Sequence, residues 1–282
     1  MADEEKRSLV IKPKRKLFDL QIREVLQYRD LIFLFVKRDF VTQYKQTVLG
    51  PLWFVISPII STVIYTFVFG HLANIGTDGI PSTLFYYSGT MLWNFFIGCF
   101  MNSSNVFVNN VGVFGKVYFP RLVVPITYIF SNSLKTLVQF AMLLAFLVYY
   151  IFIGSPVQPS WFALFFPLVI IWLAAIGVGA GIIISSLTTK YRDLRQLVNS
   201  AIGLVMYATP VVYPLSEIPK RFSWVAFANP VCAPMELFRL WFFGAGSVDM
   251  RMIFVSLGIT VFLVITGLLL FNQNEQNFID VV

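Results

Sequence analysis

Residues 161–187 form a run of 27 without a single charge. As a helix at 1.5 Å per residue it would extend about 40 Å, more than the ~30 Å hydrocarbon layer of a bilayer. Five further apolar stretches accompany it, and together they fix the fold class as all-α and polytopic. The first covers about residues 49–72, broken early by Pro51 and Pro58, and the second covers 84–101. A long third segment reaches residue 153, 161–187 is the fourth, 197–212 the fifth and 252–271 the last. The expectation is six transmembrane helices. Composition agrees, because only 12% of the residues are charged where a soluble domain carries about a quarter.

Basic residues orient these spans. Eleven of the 21 Lys and Arg lie before Val48, two (Lys116 and Arg121) between the second and third spans, and three (Lys190, Arg192 and Arg195) between the fourth and fifth. Residues 71–83 and 154–160 contain none. The positive-inside rule therefore puts both termini in the cytoplasm. The net charge of +7 does not describe a nucleic-acid groove, since seven acidic residues are interspersed with the amino-terminal basic ones. That segment fits a surface facing anionic lipid. The first 48 residues lack the apolar core and small-residue cleavage site of a signal peptide, so the first span would direct its own insertion.

The chain divides into residues 1–48 and the six-span transmembrane domain, 49–282. Residues 1–16 read as a basic cytoplasmic tail. From residue 17 to about 46, Leu17, Leu20, Val25, Ile32, Val36 and Phe40 recur at helical spacing among charges, and the longest apolar run is six residues. This is the pattern of an amphipathic helix along the cytoplasmic interface, or of a soluble helix covering the first span. Residues 213–251 are long for a loop and carry Trp224, Phe227, Phe238, Trp241, Phe242 and Phe243 beside four basic residues. Because the fifth span is only about 24 Å long and closes at Pro210 and Pro214, this part reads as a re-entrant outer-leaflet segment. A folded outer-surface cap is the alternative. Pro234 suits a first helical turn, Gly244 suits a C′ position, and Glu236 and Arg239 are spaced i,i+3 to pair.

Several chemistries are excluded. One histidine, in an outer turn, rules out a His-based triad or a His-rich metal site. No Asp or Glu falls inside a predicted span, so the buried carboxylates of an ion-coupled carrier are missing. Gly115-Lys116 is followed by Val117, and Asn110 stands where a phosphate loop needs its first glycine. No catalytic residue, metal ligand or cofactor is expected in this chain. Cys99 and Cys232 read as buried thiols.

The stretch 102–125, NSSNVFVNNVGVFGKVYFPRLVVP, is the exception to simple span-and-loop reading. Val and Phe alternate with Asn and Gly, then Lys116 and Arg121 bracket a Tyr-Phe-Pro corner rigidified by Pro120 and Pro125. A short amphipathic element at a membrane surface suits docking of a partner. Whether Asn109 and Asn110 face that partner or hold the turn stays open. Lys135 is the one intramembrane charge: it snorkels at the cytoplasmic face if residues 137–153 span alone, and lies deep, toward an anionic substrate, if the span begins near Val123. Gly177, Gly181 and Ser185 at i,i+4 spacing are assigned to helix packing. Tyr65, Phe69, Tyr86, Tyr87, Trp93, Tyr207 and Tyr213 form either an interfacial aromatic belt or a ring of faces on which sugar rings slide.

Sequence motifs add a family resemblance. Arg38-Asp39, Tyr44-Lys45, Leu49-Gly-Pro-Leu-Trp53 and Pro58 resemble the start of the first span in type-2 ATP-binding-cassette permeases that export bacterial surface polysaccharides. Lys116-Val-Tyr-Phe-Pro-Arg121 with Pro125 is the most distinctive match. Tyr191-Arg-Asp193, Thr209-Pro-Val-Val-Tyr-Pro214, Asn229-Pro230 and the ending Glu275, Phe278, Asp280-Val281 also agree, so the resemblance covers about residues 25–282. It implies a homodimer in the bacterial inner membrane, paired with two copies of a separate cytoplasmic ATPase that binds ATP and Mg. It also implies an undecaprenyl-type lipid-linked polysaccharide, of the O-antigen, capsule or teichoic acid kind, as cargo. By resemblance, residues 106–116 form the main coupling helix, engaging the ATPase through Val106, Asn109, Val113, Phe114, Gly115, Lys116, Tyr118 and Arg121. Tyr191, Arg192 and Asp193 form a second contact, and residues 215–244, with Glu236 and Arg239, resemble outer gate helices. An integral-membrane glycolipid transferase is the competing reading. It needs acidic or His residues clustered at one membrane face, whereas Asp78, Glu217, Glu236 and Asp249 are scattered over outer loops.

Overall fold

Helix α8 (Phe166–Lys190) is the axis of the fold, because small residues on two opposite sides of it let neighbouring backbones approach. A Cβ on Gly177 would stand 2.9 Å from the Phe96 carbonyl oxygen, and one on Gly181 2.6 Å from that of Phe100. Both neighbours belong to α4 (Ser82–Ser104). Gly179, about 200° round the helix from Gly177 at 100° per residue, meets α12 (Met250–Ile279) instead. There a Cβ on Gly267 would lie 2.9 Å from the Gly179 carbonyl oxygen. Ser185 is buried on the same side as Gly177 and Gly181, as the spacing predicts.

The computed structural model describes residues 22–45, 47–114, 119–191 and 193–279, and all regular elements among them are helical. The predicted basic tail, Leu17, Leu20, Gly115, Lys116, Tyr118, Arg192, Asp280 and Val281 lie outside the described residues. The remaining helices are α1 (Ile22–Gln27), α2 (Arg29–Tyr44), α3 (Trp53–Tyr65), α5 (Val106–Asn109), α6 (Val111–Phe114), α7 (Val123–Phe152), α9 (Asp193–Tyr207), α10 (Ser223–Ala228) and α11 (Cys232–Phe243). A π-helical stretch, Thr66–Leu72, continues α3.

Contacts along the helices give their directions. From Gly177 to Gly181 the α4 partner advances from Phe96 to Phe100, so α4 and α8 are parallel. Trp172 donates to the Thr260 hydroxyl, Gly179 meets Leu263, and Ile182 shares a cluster with Phe271, so α12 is parallel to both. Helix α7 runs the other way: Tyr87 pairs with Phe146, and Gly98 faces Asn132. One end of the bundle therefore collects the ends of α4, α8 and α12 with α5 and α6. The other holds the connections near residues 73–81 and 153–160.

Among the described residues, four helical segments are long and apolar enough to cross a membrane: Gly50–Leu72, Val123–Phe152, Trp161–Thr188 and Met250–Gln273. The predicted second span is the 23-residue α4, long enough but diluted by Ser, Thr, Asn and Tyr, and buried along most of its length. The predicted fifth span is α9, which stops at Tyr207, five residues before the expected end. Pro58, expected to break the first span, lies inside continuous α3. Pro125, expected to extend the rigid corner, sits in the first turn of α7, where its missing N–H has no intrahelical partner to lose. The third span is one 30-residue helix, about 45 Å long, so the apolar run after Lys135 is not a separate element.

Candidate functional site

Within the stretch 102–125, residues 106–114 fold as two four-residue helices, α5 and α6, and the last residues of the expected coupling helix, 115 and 116, lie outside the described residues. Asn110 makes the break. Its Nδ2 donates to the Val106 carbonyl at 2.8 Å and to the Tyr128 hydroxyl at 2.9 Å, and it is buried. The backbone N–H groups of Val113 and Phe114 both return to the Asn110 carbonyl, which starts α6. Asn110 therefore holds the turn, while Asn109, Val108 and Gly112 face outward.

Beneath the two helices lies an aromatic floor. Phe107 stacks on Phe271 at 5.0 Å, Phe114 meets Phe119 at 5.8 Å, and Phe35 of α2 meets Phe119 edge-on at 6.0 Å. The buried Arg121 carries its guanidinium 5.4 Å from the Phe114 ring centre, a contact worth about 1 kcal/mol. Val25, Val106, Val123 and Ile182 complete this cluster. The loop is thus anchored to α2, α7, α8 and α12 at once.

Of the predicted coupling residues, Val106 is buried, Val113 and Phe114 are half-buried, and Asn109 is exposed. Tyr191 follows α8 in extended backbone and is half exposed, and Asp193 opens α9 as an acidic first-turn residue, favourable at a helix N-terminus. Because α4 and α8 are parallel, this second loop lies at the same end of the bundle as α5 and α6.

The predicted path aromatics separate into two sets. Tyr65 meets Phe69 at 5.8 Å and Tyr86 at 6.5 Å, and its hydroxyl reaches Met206 on α9. Tyr213 donates to the Tyr207 carbonyl at 2.9 Å, one residue beyond Met206 in sequence. Tyr87 and Trp93 do not join them: Tyr87 packs on Phe146 and Trp93 on Phe96. Tyr86 and Tyr87 are 0% exposed and Trp93 6%, so in the chain by itself these three side chains are buried. Helix periodicity alone cannot separate an inward aromatic from a belt aromatic. Lys135 is half-buried, and its Nζ donates to Asn132 Oδ1 at 3.3 Å.

At the opposite end, Glu236 and Arg239 pair at 2.8 Å as their spacing predicts, but both are buried. Arg239 also stacks 3.8 Å over Phe85 and donates to the Val211 carbonyl at 3.4 Å. The pair ties α11 to α4 and to the chain leaving α9. Asn229, unremarked as a contact in the sequence, donates to the Thr209 hydroxyl at 2.8 Å and to the Ala208 carbonyl. Two motif fragments distant in sequence are therefore one structural unit. Phe238 and Phe242 insert against Phe166, and Phe242 also meets Phe140. Gly244 caps α11 at φ +72°. Cys99 and Cys232 are buried free thiols, and no cluster of metal-binding side chains occurs among the described residues.

The family model for ABC-2 type transporters matches residues 30–243. The chain is 31% identical over 254 residues to an O-antigen export system permease protein RfbA of Klebsiella pneumoniae, covering 90% of this chain and 95% of that one. It is 23% identical over 261 residues to the protein of the same name from Myxococcus xanthus, covering 92% and 98%. The capsule polysaccharide export inner-membrane protein CtrC of Neisseria meningitidis is 22% identical over 233 residues, with 79% and 83% covered.

Proposed function

We propose that this chain, which belongs to the ABC-2 type transporter family, is the membrane-spanning permease subunit of an ATP-driven exporter of lipid-linked, O-antigen-type polysaccharide. The observation that carries the reading is the loop α5–α6. It has an exposed tip at Val108, Asn109 and Gly112, a buried aromatic floor joined to four helices, and a second loop at Tyr191 and Asp193 on the same end. A protein without a phosphate loop gains from such a surface only if another polypeptide supplies the energy. The partner is a cytoplasmic ATPase, two copies on a homodimer of this chain, with ATP and Mg bound by that partner.

The reading carries a membrane arrangement with it. Helix α4 is the second span and α9 with residues 208–212 the fifth, giving six spans in the inner membrane with both termini cytoplasmic. Helix α2 lies at the cytoplasmic interface, exposing Phe33 and Leu34 toward lipid. Helix α7 exceeds the ~30 Å hydrocarbon by about 15 Å, so its first ten or so residues stand below the membrane and Lys135 sits near the inner boundary. Helix α11 re-enters the outer leaflet, where non-helical backbone is tolerated because it is buried in protein. Val211 and Thr209 meet that condition. The higher identity to the Klebsiella pneumoniae O-antigen permease than to the capsule protein favours O-antigen-type cargo over capsular polysaccharide.

The experiment is purification of the chain from native membranes with and without its ATPase. The chain alone should hydrolyse no ATP, and the complex should. An isolated chain that hydrolyses ATP or transfers sugar would overturn the reading.

A further inference from the structure

Helix α11 and the residues just before it are held in opposite ways. Nine of the twelve residues of α11 are buried. Arg239, paired with Glu236, reaches the Val211 carbonyl, and Phe238 and Phe242 lie against Phe166. The Trp241 and Phe243 carbonyls accept from the backbone N–H groups of Ser160 and Gln158 at 2.8 and 3.3 Å. Residues 215–228 have almost none of this. Leu215–Glu217 and Lys220–Phe222 are single 3₁₀ turns without a buried residue, and α10 buries Ala226 alone. Among the described residues, one side-chain hydrogen bond joins 215–228 to another element: Ser216 donates to Asp78 Oδ1 at 2.6 Å, at an exposed position.

We propose that residues 215–228 are a strap that swings toward α12 to open the outer exit for cargo, while α11 stays fixed. This rests on the export reading, and it divides residues 215–244, which the family resemblance treats as one gate, into a moving part and an anchor.

The fold gives the strap a pivot and a place to go. Its two ends are clamped together at a neck, where Asn229 donates to the Thr209 hydroxyl at 2.8 Å and to the Ala208 carbonyl, and its Oδ1 accepts from the Val231 N–H at 3.1 Å. Thr209 is fully buried, and the Pro230 carbonyl accepts from Ser256 of α12 at 2.6 Å. A neck held this way lets the strap turn as one body about a few element-terminal residues. Behind the strap lies a cavity of about 640 Å³, walled by Leu215, Ile218, Ala226 and Phe227 on the strap and by Val248 and Met252 at the start of α12. At about 30 Å³ for each water it has room for roughly twenty, space that a close-packed interior does not leave. Asp78 is not one of its walls, so a strap moving into the cavity carries Ser216 away from Asp78. The gap then opens between the strap and the connection at residues 73–81, next to Tyr213. Few ties and little burial are the marks of a segment that opens at low cost.

The test uses the full chain with its ATPase and compares two disulfides, with surface polymer as the readout. Asp78→Cys with Ser216→Cys, once oxidised, ties the strap to the 73–81 connection and should abolish export, and reduction should restore it. Gln158→Cys with Gly244→Cys ties down α11 instead, because a Cβ on Gly244 stands 3.5 Å from that of Gln158, within disulfide range. That disulfide should leave export at the wild-type level, and both pairs should export while reduced. Ile218→Cys with Val248→Cys, on the two walls of the cavity, should cross-link during ATP hydrolysis and not in the resting complex. Hydrogen exchange reads the same difference without a substitution: in the resting complex the amides of residues 220–228 should exchange at least about tenfold faster than those of 235–243. Export that survives the first disulfide overturns the proposal, and so does export lost only on oxidation of the second. Cross-linking across the cavity that ignores ATP overturns it, as do equal exchange rates in the two segments, the result if a second copy grips the strap. A wild-type chain that exports no polymer would instead count against the export reading, and the exchange rates would still decide whether the strap is loose.

Discussion

Gln139 of α7 donates its side-chain amide to the Phe54 carbonyl of α3 at 3.0 Å, and Phe54 is the residue whose helical partner would be Pro58. Proline has no N–H to give, so its presence leaves the carbonyl four residues back without an intrahelical donor. The neighbouring helix supplies it. This is how a proline expected to break the first span is carried inside a continuous helix. Gln139→Leu should destabilise the folded chain in detergent by about 1–2 kcal/mol, because it leaves the Phe54 carbonyl, at a partly buried position, without a donor. In a Pro58→Ala background the same change should cost much less, because an alanine at that position restores the intrahelical bond. Thermal unfolding of the four variants measures the coupling, and additive effects would show that the bond contributes nothing.

The turn at Asn110 offers a second contrast. Asn110→Leu removes the bonds to Val106 and Tyr128 together, whereas Tyr128→Phe removes only one of them. Asn110→Leu should therefore loosen the loop more, with protease cutting within residues 105–120 in membranes and reduced export. Tyr128→Phe should cost about 1 kcal/mol and leave export near normal. Asn109→Ala, at an exposed site, should leave stability unchanged and weaken only retention of the ATPase.

How much of this was legible beforehand depends on what each residue reports. Charge-free runs report their own length, so residues 161–187 and 252–271 were placed directly. Gly177 and Gly181 were placed as packing residues because close helix approach tolerates only small side chains. The partition of aromatics was not legible: Tyr86 and Tyr207 have the same apolar faces, and only tertiary neighbours make one core and leave the other exposed. Gln139 could have been found, since a proline inside an apolar run calls for a donor on an adjacent span, but the sequence does not say which span is adjacent. The split of the coupling stretch into α5 and α6 was hidden because Asn110 acts through Tyr128, eighteen residues away in sequence.

The buried pair Glu236–Arg239 gives a third expectation. Arg239→Met leaves a carboxylate buried without its partner and should cost about 3–5 kcal/mol, while Glu236→Leu with Arg239→Met should recover most of that loss. Export should remain impaired in the double variant, because the tie from α11 to the Val211 carbonyl is gone. Unfolding temperature and surface polymer, measured on the same variants, separate the two effects.

Glycine substitutions distinguish packing from propensity. Gly181→Ala would place a methyl 2.6 Å from the Phe100 carbonyl oxygen, so α4 and α8 must part and folded yield should fall sharply. Gly203→Ala meets nothing within 4 Å and should stabilise α9 by up to about 1 kcal/mol. If the two behave alike, the close α4–α8 contact is not what organises the bundle.

The central claim is that the tip of α5–α6 rests in an ATPase. Because Cys99 and Cys232 are buried, Asn109→Cys carries one accessible thiol among the described residues. Thiol-specific cross-linking in native membranes, followed by identification of the linked chain, reads the contact directly. The account predicts a covalent product between Asn109→Cys and a nucleotide-binding subunit, with export intact before cross-linking and blocked after it. An Asn109→Cys thiol that alkylates freely in active membranes, with no such product, would contradict it.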